Sequence, residues 1–239
     1  MSNHHVTGAG AKWLLPAIVF VVLLACVGIG LSLYSVKSDS GTRRGKESTP
    51  NQLVFEGHKI EGEVHELADA FKTENVTVFS EGDNYVNLNG FSFYGYDNCA
   101  LAVRGTPRSH TAYTIEVTLP YTDDFSLLKE RFFWFREQFL KKYHADNPSD
   151  HIDVNMEVLA SVNSLSDLYW KQLGIGQAGQ TPETKITNFD NGEIRIIIWC
   201  KMDRATIIIF YNNLRNEELR QQEINKNKEE GKGDWLDNL

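Results

Sequence analysis

From Phe125 to His144 the chain reads FSLLKERFFWFREQFLKKYH, and its apolar positions recur at helical spacing. Leu128, Phe132, Phe135, Phe139 and Tyr143 are separated by four, three, four and four residues, which places them on one side of a helix turning every 3.6 residues. Such a stripe has to be buried against something. Tyr113 to Leu119 before it, and Ile194 to Trp199 and Thr206 to Tyr211 after it, read as strands that supply the opposing apolar surface.

The rest of the chain divides by the same reasoning. Leu53-Val54-Phe55 and Ile60 flank a turn at Gly57, and Val64, Leu67, Ala68 and Phe71 mark an amphipathic helix ending near Thr73. Val76 to Phe79 and Tyr85 to Leu88 predict two strands turning at Glu81-Gly82-Asp83-Asn84. Leu101 to Arg104 and Tyr113 to Leu119 predict a hairpin, Pro120 ends its second strand, and Asp123 or Asp124 caps the long helix. Between His144 and Thr187 the pattern is weak, and Leu159, Val162, Leu165, Leu168, Tyr169 and Leu173 fit one broken helix or two short ones. Asn191-Gly192 opens a last hairpin, Glu193 to Lys201 with Thr206 to Tyr211, whose triple isoleucines Ile196-Ile197-Ile198 and Ile207-Ile208-Ile209 suit strands covered on both faces. A charged helix capped by Asn216 comes last, to about Glu229.

Ahead of this domain lies a different kind of sequence. Residues 1–12 are a polar tail, and Trp13 to Tyr34 run without a charged side chain. As a helix that segment spans about 33 Å, enough to cross a hydrocarbon core of roughly 30 Å. Residues 13–34 therefore read as a single transmembrane helix with Trp13 and Tyr34 at its two interfaces. Two processed forms compete with this reading: a cleaved signal peptide, for which only Lys12 supplies a basic start, and lipidation at Cys26 in the box Leu23-Leu24-Ala25-Cys26. Gly28 and Ser32 form a small-xxx-small pair that points to a homodimer through the membrane helix. Residues 35–51, rich in Ser, Gly, Thr, Lys and Arg, form a flexible linker; 52–230 is the globular domain and 231–239 a C-terminal tail.

Composition narrows the function. A net charge of −8 disfavours nucleic acid as a partner, because phosphate binding needs clustered Lys and Arg. The three cysteines, Cys26, Cys99 and Cys200, have no CxxC pair and no His in zinc spacing, so no metal site is expected. For Cys99 and Cys200, a disulfide and two buried free thiols are both open. Gly174 to Gly179 matches G-x-G-x-x-G as a string, but no strand precedes it and Pro182 interrupts the segment after it, so it reads as a loop and no cofactor is expected. His144, Asp146, Asp150, His151 and Asp153 are the densest group of proton-moving side chains; they fit no metal pattern and read as a solvated loop at a helix C-terminus, with a hydrolase using this loop as the alternative. No catalytic residue is assigned. Phe91, Phe93, Tyr94 and Tyr96 are the candidate binding residues, since rigid aromatic side chains give large contact area; set against this is the reading that half of them are core.

The order FEGHKIEG, short helix, LNGFSFYGYDNCALAV, YTIEVTLP, long helix ending LKKYH, GEIRIIIW and ATIIIFYNN resembles a group of small exported proteins of Bacteroides-type bacteria, from about Val54 to the C-terminus. The resemblance implies an α+β domain and an envelope location and carries no activity. It places the domain outside the cytoplasm, whereas the excess of Lys37, Arg43, Arg44 and Lys46 after the membrane segment places it inside by the positive-inside rule. The reading adopted is an α+β protein: one membrane helix, then a mainly antiparallel sheet packed by one long helix and shorter ones. Its function is membrane-tethered, non-catalytic binding or envelope assembly, with a protein partner or a second copy of the chain.

Overall fold

The computed structural model describes residues 51–174 and 179–231. The predicted polar tail, membrane helix, nearly all of the linker and most of the C-terminal tail lie outside them. Among the described residues no helix is long and apolar enough to cross a membrane.

Eleven strands and five helices are described, in chain order. They are β1 (Asn51–Gln52), β2 (Val54–Phe55), β3 (His58–Lys59), α1 (Val64–Asp69), β4 (Thr77–Gly82), β5 (Tyr85–Phe93), β6 (Tyr96–Gly105), β7 (Ala112–Thr118), α2 (Phe125–Lys142), β8 (His151–Val154), α3 (Met156–Ser161), α4 (Leu165–Leu173), β9 (Glu183–Asp190), β10 (Gly192–Cys200), β11 (Ala205–Asn213) and α5 (Leu214–Glu229). The fold is α+β. Nine strands make one sheet in the order β1-β9-β10-β11-β7-β6-β5-β4, with β8 also on β9, and β2-β3 is a separate hairpin. Every pairing in the sheet is antiparallel except the two-residue β1–β9 bridge.

Register decides which face each residue takes. Ile186, Ile194, Tyr211, Ile115, Val103 and Val86 form one row across six strands, and Thr184, Ile196, Ile209, Val117, Leu101 and Leu88 form the next. All twelve are at most 1% exposed. Against this face lies α2, with Leu128, Phe132, Phe135 and Phe139 buried as the four-three-four spacing predicts, while Tyr143 is its C-cap and half-buried. The N-cap is Asp124, whose carboxylate accepts from Leu127 N.

The opposite face is more open. Ile197, Ile208 and Phe210 are half-buried and Trp199 is 48% exposed, so the isoleucine runs are not covered on both sides along their length. They are apolar at every position, yet only alternate residues enter the core. Near the other end of these strands α5 packs on β7, with the Arg220 guanidinium over the Tyr113 ring. Its cap is Asn213, not Asn216: the Asn213 side chain accepts from the Asn216 backbone N–H.

Two local devices complete the sheet. Tyr94 and Gly95 take φ of 49° and 82°, so the β5–β6 connection is a two-residue turn of the left-handed kind that suits hairpin twist. Gly90, at φ 84°, passes so close to Asn75 that an added Cβ would sit 2.2 Å from its carbonyl oxygen, which only glycine permits. Where β9 stops short, the Gln172 amide of α4 donates to Ile198 O at 2.6 Å and accepts from Cys200 N at 2.9 Å, replacing the missing strand.

Candidate functional site

The site begins where three chain segments converge on one end of the sheet. The β1–β2 junction brings Gln52 and Leu53, the β3 hairpin brings Lys59, Ile60 and Glu61, and the β9–β10 turn with the start of α5 brings Asp190, Asn191, Asn213, Arg215 and Asn216. Together they line a cleft of about 410 Å³. Its lining is mostly polar; the two apolar residues, Leu53 and Ile60, are 7% and 2% exposed.

The cleft is held open by amide side chains. Asn213 Nδ2 donates to Ile60 O at 2.8 Å, and Asn216 Nδ2 donates to Ala112 O at 2.7 Å. Leu214 N donates to Asn191 O at 2.9 Å, which fastens the start of α5 to the β9–β10 turn. Asn191 itself takes φ 56°, a left-handed conformation that asparagine tolerates because its short amide bonds locally, here to Asp190 Oδ1 at 3.1 Å. Gly192 is next, with Leu53 packed so near that an added Cβ would approach Leu53 Cβ to 2.8 Å.

Charge on the rim is mixed. Lys59 and Glu61 form an exposed pair at 3.6 Å, a geometry worth little in water. Asp190 and Arg215 are exposed, and Arg215 has no hydrogen-bond or ion-pair partner among the described residues. Two cations and two carboxylates around the cleft suit a small ligand bearing both charges. None of the lining residues is Ser, Thr, Cys, His or Tyr, so the cleft carries no side-chain hydroxyl, thiol or imidazole. Sequence reasoning missed it because its residues come from segments far apart in the chain, Gln52 to Glu61 and Asp190 to Asn216, and neither segment carries a motif.

The candidate binding aromatics lie elsewhere. Phe93 is 2% exposed and stacks on Phe135 with centroids 6.1 Å apart. Phe91, Tyr94 and Tyr96 are half-buried. Tyr94 meets Phe139 edge-on at 5.4 Å and Tyr96 lies 5.6 Å from Phe135. Tyr94 also accepts from Lys142 Nζ at 2.7 Å. Phe93, Tyr94 and Tyr96 anchor the end of the β5–β6 hairpin on α2, while Phe91 packs against Phe55 and Phe71.

In the polar loop the groups are committed to each other. Arg136 grips Asp153 through two hydrogen bonds, at 2.6 and 3.1 Å, and Thr184 Oγ1 adds a third at 2.7 Å. Burial opposes ionisation of Asp153, but the bonds from Arg136 and Thr184 outweigh it and hold the carboxyl below its ordinary range. His151 places Nδ1 2.9 Å from Ala145 O, and Arg136 lies 3.4 Å from its other nitrogen. His144, at φ 54°, ends the helix. Among the described residues no group of three His, Cys, Asp or Glu side chains is placed to hold a metal.

Cys99 and Cys200 are both buried and free. They sit on β6 and β10, with β7 and β11 between them, so about 14 Å of sheet separates them at about 4.8 Å per strand, twice the reach of a disulfide of roughly 7 Å. Burial pushes each thiol up to about 11, with the Asp97 charge adding to the effect at Cys99. Neither peptide is expected to label with maleimide in the native chain, while both label in denaturant; mass spectrometry of the digested protein reads this. Of the G-x-G-x-x-G string, Gly174 is the left-handed C-cap of α4, and residues 175–178 lie outside the described residues.

No protein-family model, curated protein or solved structure matches this chain.

Proposed function

We propose that the chain is a membrane-tethered, non-catalytic binding module of the bacterial envelope, and that its ligand site is the cleft between the β3 hairpin, the β9–β10 turn and the start of α5. The observation that carries the reading is the cleft itself: about 410 Å³, lined mostly by polar side chains, with a rim of both charges and no hydroxyl, thiol or imidazole group. Small-molecule sites are typically concave, with polar groups placed to fix the ligand's orientation. The cleft fits a short zwitterionic peptide, whose ammonium meets Asp190 and Glu61 while its carboxylate meets Arg215 and Lys59. The hydrolytic reading of the His144 to Asp153 loop is weaker, because Asp153 is already held by Arg136 and Thr184 and so makes a poor general base.

The tether is the uncharged segment 13–34, and the extracytoplasmic side is favoured by the resemblance to exported proteins. Two readouts test the two halves separately. Triglycine at a concentration about 100 times its dissociation constant is expected to stabilise the full chain by about 2.7 kcal/mol, and Arg215→Glu to remove the effect. Acetate and ethylammonium, each carrying one charge, serve as controls. If triglycine does not stabilise the wild type, or Arg215→Glu binds it equally, the cleft is not the site. Protease added to cells with the outer membrane opened is expected to cut the domain; protection beside a cleaved periplasmic control would place it in the cytoplasm.

A further inference from the structure

The cleft and the far half of α5 meet in one short loop. Gly105 to Ala112, which joins β6 to β7, is bonded to both walls of the cleft. On the helix side, Asn216 in the first turn of α5 donates to Ala112 O at 2.7 Å. On the hairpin side, Ala112 N donates to Gly62 O at 2.8 Å and Val64 N to His110 O at 3.0 Å, directly after the lining residues Lys59, Ile60 and Glu61.

The same loop is gripped further along the same helix. The Glu223 carboxylate accepts from Arg108 N at 2.7 Å and Ser109 N at 3.3 Å, and the Arg108 side chain reaches on to Asn227 and Glu230. Asn216 and Glu223 stand about two turns apart on one face of α5, so helix and loop are pinned together at two points. Within the loop, Thr106 is fully buried, donates from its backbone N to Thr111 O at 2.9 Å and accepts from His110 N at 3.2 Å, which makes the segment one unit.

Building on the reading of the cleft as a ligand site, we propose that this loop is a joint through which a proton on Glu223 opens the cleft, and that Glu223 is a positioning residue of a cleft it does not line. Ionised, Glu223 holds two adjacent N–H groups by charge-assisted bonds; protonated, it holds them more weakly, and the loop loses its far pin. A shift at Arg108 then passes through the Thr106 bonds to His110 and Ala112, and the wall formed by Asn213, Arg215 and Asn216 loses its brace. A ligand that needs both walls in place opposes the proton, and each weakens the binding of the other by the same factor. The titratable groups around Glu223 are Arg108 and His110 on the loop, Arg220 with its partner Glu217, Lys226 and Glu230 on or just past its own helix, and Arg104 and Tyr113 on the sheet beneath α5.

Glu223→Gln in the full chain, with detergent where it is needed, keeps the size of the side chain and removes its charge. At pH 7 the variant is expected to keep the wild-type circular dichroism. The amides of Ala112 and Leu214, which donate to Gly62 O and Asn191 O and so hold the two walls, should exchange about fivefold faster, the net worth of one hydrogen bond. Its dissociation constant for triglycine should rise by about the same factor. Glu223→Asp, which keeps the charge, is expected to recover part of both effects, and Glu218→Gln on the exposed side of α5 to change neither. Between pH 7 and pH 4, after correction for intrinsic exchange, the two amides should loosen in the wild type and less in Glu223→Gln. Three results would each overturn the proposal: Arg108 and Ser109 quicken in Glu223→Gln while Ala112 and Leu214 keep the wild-type rate, all amides quicken together, or the variant binds triglycine as the wild type does. Triglycine failing to bind the wild-type chain is a different result: it removes the cleft as a ligand site, and the exchange rates still decide whether the loop is a joint.

Discussion

Phe135→Ala is expected to cost about 3–5 kcal/mol of folding stability, the range for truncating a fully buried phenylalanine. Phe135 is fully buried on α2 and is the hub of the aromatic cluster: Phe93, Tyr94, Tyr96, Trp134 and Phe139 all lie within 6.1 Å of its centroid. The vacated space faces β5 and β6, whose strands are tied into the sheet, so the surroundings cannot close over it. Phe133→Ala on the same helix, where the ring is 39% exposed, is expected to cost less than about 1 kcal/mol. Urea unfolding followed by circular dichroism reads both. Equal costs would mean that the stripe does not dock as described.

That contrast between Phe133 and Phe135 was legible in the sequence, because a helix longer than four turns repeats its pattern often enough to define a face. The Ile194 to Tyr211 hairpin was legible for a similar reason: nine strand pairs in register, from Gly192–Asn213 to Cys200–Ala205, join two runs of β-branched residues. The pattern failed where packing, not periodicity, makes the strand. β9 reads ETKITNFD, with Ile186 its only large aliphatic residue, and it is a strand because β10 on one side and β8 on the other satisfy its backbone. β8, HIDV, is shorter still and is held by the Arg136 to Asp153 bridge as much as by its ladder. In the stretch between them, the apolar positions resolve into two short helices, α3 and α4, because Ser164 caps a second start by accepting from Asp167 N.

The cleft was illegible for a different reason. Its floor residues Leu53 and Ile60 look like ordinary hairpin core, and its rim charges look like ordinary surface. Only the tertiary meeting of β3 with the start of α5, through Asn213 and Ile60 O, makes a concavity from them. The aromatic run Phe91 to Tyr96 shows the converse: a local cluster conspicuous in sequence, whose rings are mostly engaged with α2. Position in the fold, more than composition, separates a packing aromatic from an exposed one such as Phe79.

Acid is expected to loosen α5 through Glu223, and removing that side chain to reproduce part of the effect at neutral pH. Glu223 is 9% exposed and accepts from Arg108 N at 2.7 Å and Ser109 N at 3.3 Å, so one carboxylate satisfies two adjacent backbone donors of the β6–β7 loop. Arg108 in turn bonds Asn227 at 2.6 Å and Glu230 at 2.5 Å, which completes a clamp between that loop and the helix. Burial alone would favour the protonated acid, but hydrogen bonds from Ser109, Arg108 and Thr106 outweigh it and hold the carboxyl below its ordinary value of 4.5. A group whose folded value is depressed contributes stability that is full above its unfolded value and lost as pH falls through the folded one. The wild type should therefore lose stability below about pH 4.5, with Asp153, depressed by Arg136, adding to the slope in the same direction. Glu223→Ala leaves two part-buried donors without this acceptor and is expected to cost about 1 kcal/mol at pH 7, with a flatter decline in acid because one of the titrating groups is gone. Hydrogen exchange in α5 and the 105–111 loop, compared between pH 7 and pH 4, localises the change. Uniform exchange across the sheet instead would assign the acid sensitivity to global unfolding and free Glu223 from the role of latch.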